Sequence, residues 1–154
     1  MNATKVSISM LLAVVSASAA CREHQQTTGN QSMSAPSASN QLAALATRTG
    51  LTLPTTARLI GIEDENRGEQ YLRAKLVLNA TDWSVFSSQM PVAEDSMARG
   101  TGGFLGQDKA WWDPHAAQGL RTGQAERKPG MYLNIGIDDS DPDAVSVYIV
   151  QHGT

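Results

Sequence analysis

Met131-Tyr132-Leu133-Asn134-Ile135-Gly136-Ile137-Asp138, followed after a short acidic turn by Val145-Ser146-Val147-Tyr148-Ile149-Val150, is the stretch whose reading decides the fold. Met131, Leu133, Ile135 and Ile137 alternate with Tyr132, Asn134 and Gly136, and Val145, Val147 and Ile149 alternate with Ser146, Tyr148 and Val150. A period of two sends alternate side chains to opposite faces of an extended chain, so each segment reads as a strand with one face turned to a core. The connection from Asp138 to Asp143 is short and rich in Asp and Pro, which predicts that the two strands pair as an antiparallel hairpin.

The same period runs upstream through Tyr71 to Leu78, where Leu72, Ala74, Leu76 and Leu78 alternate with Tyr71, Arg73, Lys75 and Val77. The polar side of that strand is expected to face water or a partner. Arg58 to Ile62 reads as a strand before it, and Glu63-Asp64-Glu65-Asn66-Arg67-Gly68 as the polar, glycine-containing connection between the two. After the Tyr71 strand, Thr81 or Asp82 can cap a helix, because their oxygens accept from the unpaired amides of a first turn. Trp83, Phe86 and Met90 then follow at helical steps until Pro91 stops the run, and this stripe is expected to be the core face of the helix. The elements sum to an α+β fold: a small four-stranded antiparallel sheet, ββαββ, with one main helix packed on one face.

From Pro91 to Gly130 neither period holds, and the segment is far longer than the usual connection of about 4–6 residues. It contains Gly100, Gly102, Gly103 and Gly106, and then Trp111-Trp112-Asp113-Pro114-His115. Adjacent residues of an extended chain point opposite ways, so one tryptophan is expected to dock on the domain while the other lines a surface.

Upstream, Leu51 to Pro54 opens a single domain over 51–154. Residues 21–50 read as a flexible tether: Arg22 to Asn40 is Gln, Thr, Ser, Asn and Ala with one proline and no aromatic residue, too little apolar surface to offset the entropy of ordering. His24, within it, reads as a solvated polar residue. Leu42, Leu45 and Ala46 lie at helical spacing between Ser39 or Asn40 and Gly50, which allows one short helix at the end of the tether.

Residues 1–20 have the layout of a secretory signal peptide. Lys5 precedes the apolar run Met10 to Val15, and small residues from Ser16 to Ala20 suit a peptidase. Cys21, the only cysteine, follows directly and has no partner for an internal disulfide. Ser18-Ala19-Ala20-Cys21 resembles the lipobox of bacterial lipoproteins, with Ser18 where leucine is usual, and the resemblance implies a lipid on Cys21. Arg22 rather than Asp after the cysteine resembles the sorting signal for the periplasmic side of the outer membrane. Ala17-Ser18-Ala19 or Ser18-Ala19-Ala20 also suits an ordinary signal peptidase, which would leave a soluble periplasmic or secreted domain.

The chain has 154 residues and a formal charge of −3; loss of residues 1–20 removes one lysine and no acid, leaving −4. That length allows one domain, and that charge gives no reason to expect a nucleic-acid partner, whose binders need clustered Lys and Arg. Asp138, Asp139, Asp141 and Asp143 crowd carboxylates into one turn, a composition that suits Ca²⁺. The spacing fails the calcium-loop pattern, because counting from Asp139 puts Ala144 where glycine is needed and Val150 where a bidentate glutamate is needed. A hairpin turn built from Asp and Pro accounts for the same residues. Gly100-Thr101-Gly102-Gly103-Phe104-Leu105 matches no nucleotide fingerprint, and no serine elbow or zinc helix is present, so no catalytic motif and no cofactor is implied. Asp113 and His115 put an acid and a base two residues apart, and a proline-fixed turn explains them equally. His152, beside the C-terminus, reads as an edge residue, and with His115 makes only a weak zinc set.

Leu53-Pro54-Thr55-Thr56-Ala57-Arg58, the Tyr71 strand, the Trp111-Trp112-Asp113-Pro114 loop and the block from Ile135-Gly136-Ile137-Asp138-Asp139 to Val147-Tyr148-Ile149 together resemble small uncharacterised bacterial envelope lipoproteins over about residues 51–154. The resemblance implies one domain behind a lipidated tether and brings no catalytic residue with it. The expectation is a membrane-anchored module that binds an envelope protein or cell-wall polymer through Trp111, Trp112, Asp113 and His115, in the manner of inhibitor or immunity proteins. Two rivals stand beside it: a small envelope hydrolase using Asp113 and His115, and a structural lipoprotein whose tryptophans are simply packed.

Overall fold

The computed structural model describes residues 37–67, 69–104 and 109–153. The signal reading on 1–20, Cys21 with its lipid, His24 and the tether up to residue 36 lie outside the described residues. Among the described residues no helix is long and apolar enough to cross a membrane.

The sheet has six antiparallel strands and is accompanied by two helices, in place of the expected four strands and one helix. Strand β1 is Arg58–Arg67, β2 Glu69–Leu78, β3 Ala98–Arg99, β4 Arg121–Lys128, β5 Met131–Asp138 and β6 Val145–Gly153; helix α1 is Ala38–Thr49 and α2 Ala80–Ser87. Their order across the sheet is β1-β2-β6-β5-β4-β3. The β5–β6 hairpin forms as expected, with Ile135 opposite Ile149 and Ile137 opposite Val147. β6 is a central strand, because its other edge pairs with β2. That pairing ends at Gln151; His152, one residue further on, is matched to Tyr132 of β5 alone and stacks on its ring at 5.6 Å.

β3 and β4 supply the extra width, and β1 is also longer than expected. β1 runs on through Glu63, Asp64 and Glu65, which were expected to form a connection, because each finds a partner across the hairpin: Glu63 lies opposite Arg73 and Glu65 opposite Tyr71. On the far side, β4 pairs with β5 along its length and takes two residues of β3 on its outer edge. β4 is Arg-Thr-Gly-Gln-Ala-Glu-Arg-Lys, with no large apolar residue to alternate, which is why no period marks it.

One face of the sheet carries the helices. Leu72, Ala74, Leu76 and Leu78 of β2, Val145, Val147 and Ile149 of β6, and Leu133, Ile135 and Ile137 of β5 are all buried there, packed with Leu42, Leu45, Leu51 and Phe86. Helix α1 starts at Ser37, whose Oγ accepts the Asn40 amide, and ends at Gly50, whose φ of +65° favours glycine and whose N–H reaches Ala46 O at 2.8 Å. Its Leu42 and Leu45, three residues apart, give it the apolar face that joins this core. Helix α2 is capped by Asn79, two residues before the expected Thr81, with Oδ1 accepting the Asp82 amide at 2.8 Å. Phe86 is buried as expected, and Trp83 and Met90 pack half-buried against the same core.

The opposite face was expected to meet water or a partner along β2. It is instead covered by part of the segment between α2 and β4. Phe104, Trp112 and Leu120 of that segment bury themselves against Tyr148 and Val150 of β6 and form a second, smaller core, with Tyr71 and Trp111 at its margin. The long connection is therefore the second layer of the fold, and it has no period because its residues pack one by one.

Candidate functional site

The Trp-Trp-Asp-Pro loop crosses the covered face above the polar side chains of β1 and β2. Those side chains share a face by hairpin register. β1 and β2 pair so that Glu63 meets Arg73 and Gly61 meets Lys75, with an irregularity between Leu59 and Gly61. That extra residue lets Leu59 and Ile62 both serve the helix-side core, while Gly61 comes up beneath the loop.

The two tryptophans take different places. Trp112 is 1% exposed, edge-on to Tyr148 at 5.6 Å and tilted against Phe104 at 6.0 Å. Trp111 stands edge-on to Trp112 at 5.7 Å and stays half-buried. Arg73, itself 5% exposed, carries its guanidinium 5.9 Å from the Trp111 ring and 5.6 Å from the Trp112 ring, within range of cation–π attraction.

Two charge clusters hold this arrangement. Arg73 Nε donates to Glu63 Oε2 at 2.5 Å, and Lys109 Nζ lies 3.0 Å from Glu63 Oε1, so one carboxylate answers two cations. Burial would raise the Glu63 carboxyl, but hydrogen bonds from Lys109 and Arg73 and their charges outweigh it and hold it below the usual carboxylate range. In the second cluster, Asp113 Oδ1 accepts from Lys75 Nζ at 2.5 Å and from Tyr148 Oη at 2.9 Å. Burial again works against ionisation, and the hydrogen bonds from Lys75 and Tyr148 with the lysine charge override it, so the Asp113 carboxyl is lowered. Burial, then the Asp113 hydrogen bond and charge, push the Tyr148 hydroxyl well above its ordinary value.

This geometry determines what the named residues can do. Asp113 is an ionised structural acceptor that ties the loop to β2 and β6. His115 is exposed on the turn Pro114–Ala116, whose proline is buried, and among the described residues no hydrogen bond or ion pair reaches it. The pair is not joined as an acid–base couple: no hydrogen bond links His115 to Asp113, whose Oδ1 is held by both Lys75 and Tyr148.

The acidic turn is likewise occupied. Asp138 accepts the backbone amides of Gln118 and Gly119 at 3.2 Å and of Ser140 at 3.1 Å; burial works against its ionisation, but the Ser140 side chain and these amides outweigh it and lower its carboxyl. Asp139 pairs with Arg121 at 2.7 Å, and Asp141 accepts the Asp143 amide at 3.0 Å. Among the described residues no three His, Cys, Asp or Glu side chains converge as a metal site, so Asp138, Asp139, Asp141 and Asp143 act here as turn and anchor residues.

Glu63, Arg73, Lys75, Lys109 and Tyr148 are site residues that the sequence reading did not single out. One signal was available. The β1–β2 register puts Glu63 opposite Arg73, an acid facing a base within a stretch that reads as a polar connection. Comparison with family models, curated proteins and solved structures finds no match for the chain, so function has to be argued from these residues.

Proposed function

We propose that this protein is an exported, lipid-anchored binding module that engages an envelope protein or cell-wall polymer over the Trp111 side of the covered face. The observation that carries the reading is the position of Trp111. It is an indole left half-exposed, yet held by Trp112 at its edge and Arg73 at its face. A large aromatic surface already fixed in place loses little freedom on binding, which is the property of an interface anchor. Lys109 and Asp113, with side chains 41% and 44% exposed, set opposite charges beside it. The anchor rests on the export-signal layout and on Cys21 directly after it.

Trp112 has a different task in this reading, because it is sealed in the second core and supports Trp111 from behind. The hydrolase alternative loses its pairing of Asp113 with His115 and is not pursued. The test is affinity capture from envelope extracts with wild-type protein and a Trp111→Ala variant of unchanged fold. A partner retained by wild type and lost by the variant supports the reading, and identical partner lists overturn it.

A further inference from the structure

A second site lies on the helix side of the sheet, well away in sequence from the Trp111 loop. The C-terminal turn of α1, the β4–β5 turn and the end of β6 enclose a cleft of about 470 Å³, within the range of small-ligand sites. Its base is Gln151. Register places Gln151 between Leu72 and Leu133, in the row of β-strand side chains that faces the helices, where every central neighbour is apolar. The residue is 5% exposed and lines the cleft, and among the described residues its side-chain amide makes no hydrogen bond. Among the described residues no side-chain nitrogen or oxygen is sealed from solvent without a partner, so the Gln151 amide keeps its polar atoms open to the cleft, where a ligand can reach them.

The walls supply one sign of charge. Arg48, Arg127 and Lys128 line the cleft and no carboxylate does. Arg48 is engaged with Asp64 at 2.8 Å. Arg127 stands at the irregularity in β4 between Glu126 and Lys128, which turns its side chain toward α1, where Nη2 donates to Gly50 O at 3.0 Å. Gly50 admits that approach, since a Cβ there would fall 2.7 Å from Nη2. The remaining guanidinium donors of Arg127 and the ammonium of Lys128 have no partner among the described residues.

We infer that this cleft binds the C-terminal end of a short peptide: the terminal carboxylate on Arg127 and Lys128, and the adjacent amide on Gln151. A carboxylamide side chain offers one acceptor and a pair of donors, which matches a peptide group, and fixed cations match a carboxylate. The inference does not rest on the Trp111 reading, because the two sites use different residues on opposite faces.

Calorimetric titration of the full chain with N-acetyl-Ala-Ala, with its C-terminal amide and with inorganic phosphate tests it. The acid should bind at one site, the amide at least tenfold more weakly, and phosphate more weakly than the acid. Gln151→Leu, which extends the apolar row, should keep the melting temperature and lose at least tenfold in affinity for the acid. Lys128→Met, at an exposed position, should weaken the acid severalfold, and Trp111→Ala should leave it unchanged. Absence of binding by the acid, equal binding of acid and amide, phosphate as the tightest ligand, or full affinity in both Gln151→Leu and Lys128→Met overturns the assignment.

Discussion

Trp111 lies directly over Gly61: a Cβ built on that glycine would fall 2.2 Å from Trp111 Cδ2, in the body of the indole. The loop and the β1 strand therefore touch at a point where no larger residue fits. Gly61 has an ordinary backbone conformation for any residue, so a substitution there acts through the ring alone. Gly61→Ala is expected to lift Trp111, cost about 1–3 kcal/mol by overpacking and weaken partner capture. Urea unfolding followed by tryptophan emission measures the first effect, and the capture assay measures the second.

The two adjacent tryptophans are expected to respond differently to truncation. Trp112→Ala empties the second core and should cost about 3–5 kcal/mol. Trp111→Ala removes a half-buried ring and should cost on the order of 1–2 kcal/mol. Denaturant midpoints of the two variants check the difference. An aqueous quencher should reach Trp111 in the native protein and leave Trp112 protected.

Acid should weaken the covered face in a defined window. Glu63 and Asp113 both have lowered carboxyl pKa values in the folded protein. Their contribution is complete above the unfolded values, about 4.3 for Glu and 3.9 for Asp, and is lost as pH falls below those through the lower folded values. Melting temperature should fall steeply below about pH 4.5, and less steeply in Glu63→Gln and Asp113→Asn. Tyr148 is shifted the other way, so its contribution is present below its unfolded value of about 10 and declines as pH rises past it. Tyr148→Phe should remove that alkaline limb.

Asp138 fastens the loop layer to the hairpin through the amides of Gln118 and Gly119, and braces its own turn through that of Ser140. Asp138→Ala leaves those donors without their acceptor and is expected to cost about 1–3 kcal/mol. Hydrogen exchange should then quicken at Gln118, Gly119 and Ser140 before the rest of the sheet responds.

The helix-side core was legible because β2, β5 and β6 carry large apolar residues at every second position. The hairpin of β5 and β6 followed from it, and so did the Phe86 face of α2. β4 was not legible, since its residues from Arg121 to Lys128 pair through backbone and a Gln124–Asn134 hydrogen bond and leave no apolar trace. The acidic half of β1 was misread as a connection for a related reason: Glu63 is matched to Arg73 across the hairpin and Asp64 to Arg48 of α1 instead of to a core. The site was the least visible part. Trp111 and Trp112 could be named from their adjacency, but Lys75 and Tyr148 reach Asp113 from 38 and 35 residues away, and only the docking of the long segment on the sheet brings them together.

Export makes a separate prediction. Cells fed a fatty-acid probe should label this protein, and Cys21→Ala should abolish the label and release the protein from the membrane fraction. An unlabelled wild-type protein would contradict the lipid anchor and favour ordinary signal-peptidase cleavage at Ala17-Ser18-Ala19 or Ser18-Ala19-Ala20, leaving a freely diffusing domain.

The most direct test of the account places a photo-crosslinking side chain in living cells at Ala110, an exposed position adjacent to Trp111. The account predicts one discrete adduct from that position, absent from a control at Asp141 on the hairpin tip and lost when Trp111→Ala is added. No adduct at position 110, or an adduct that persists undiminished without the Trp111 ring, would contradict it.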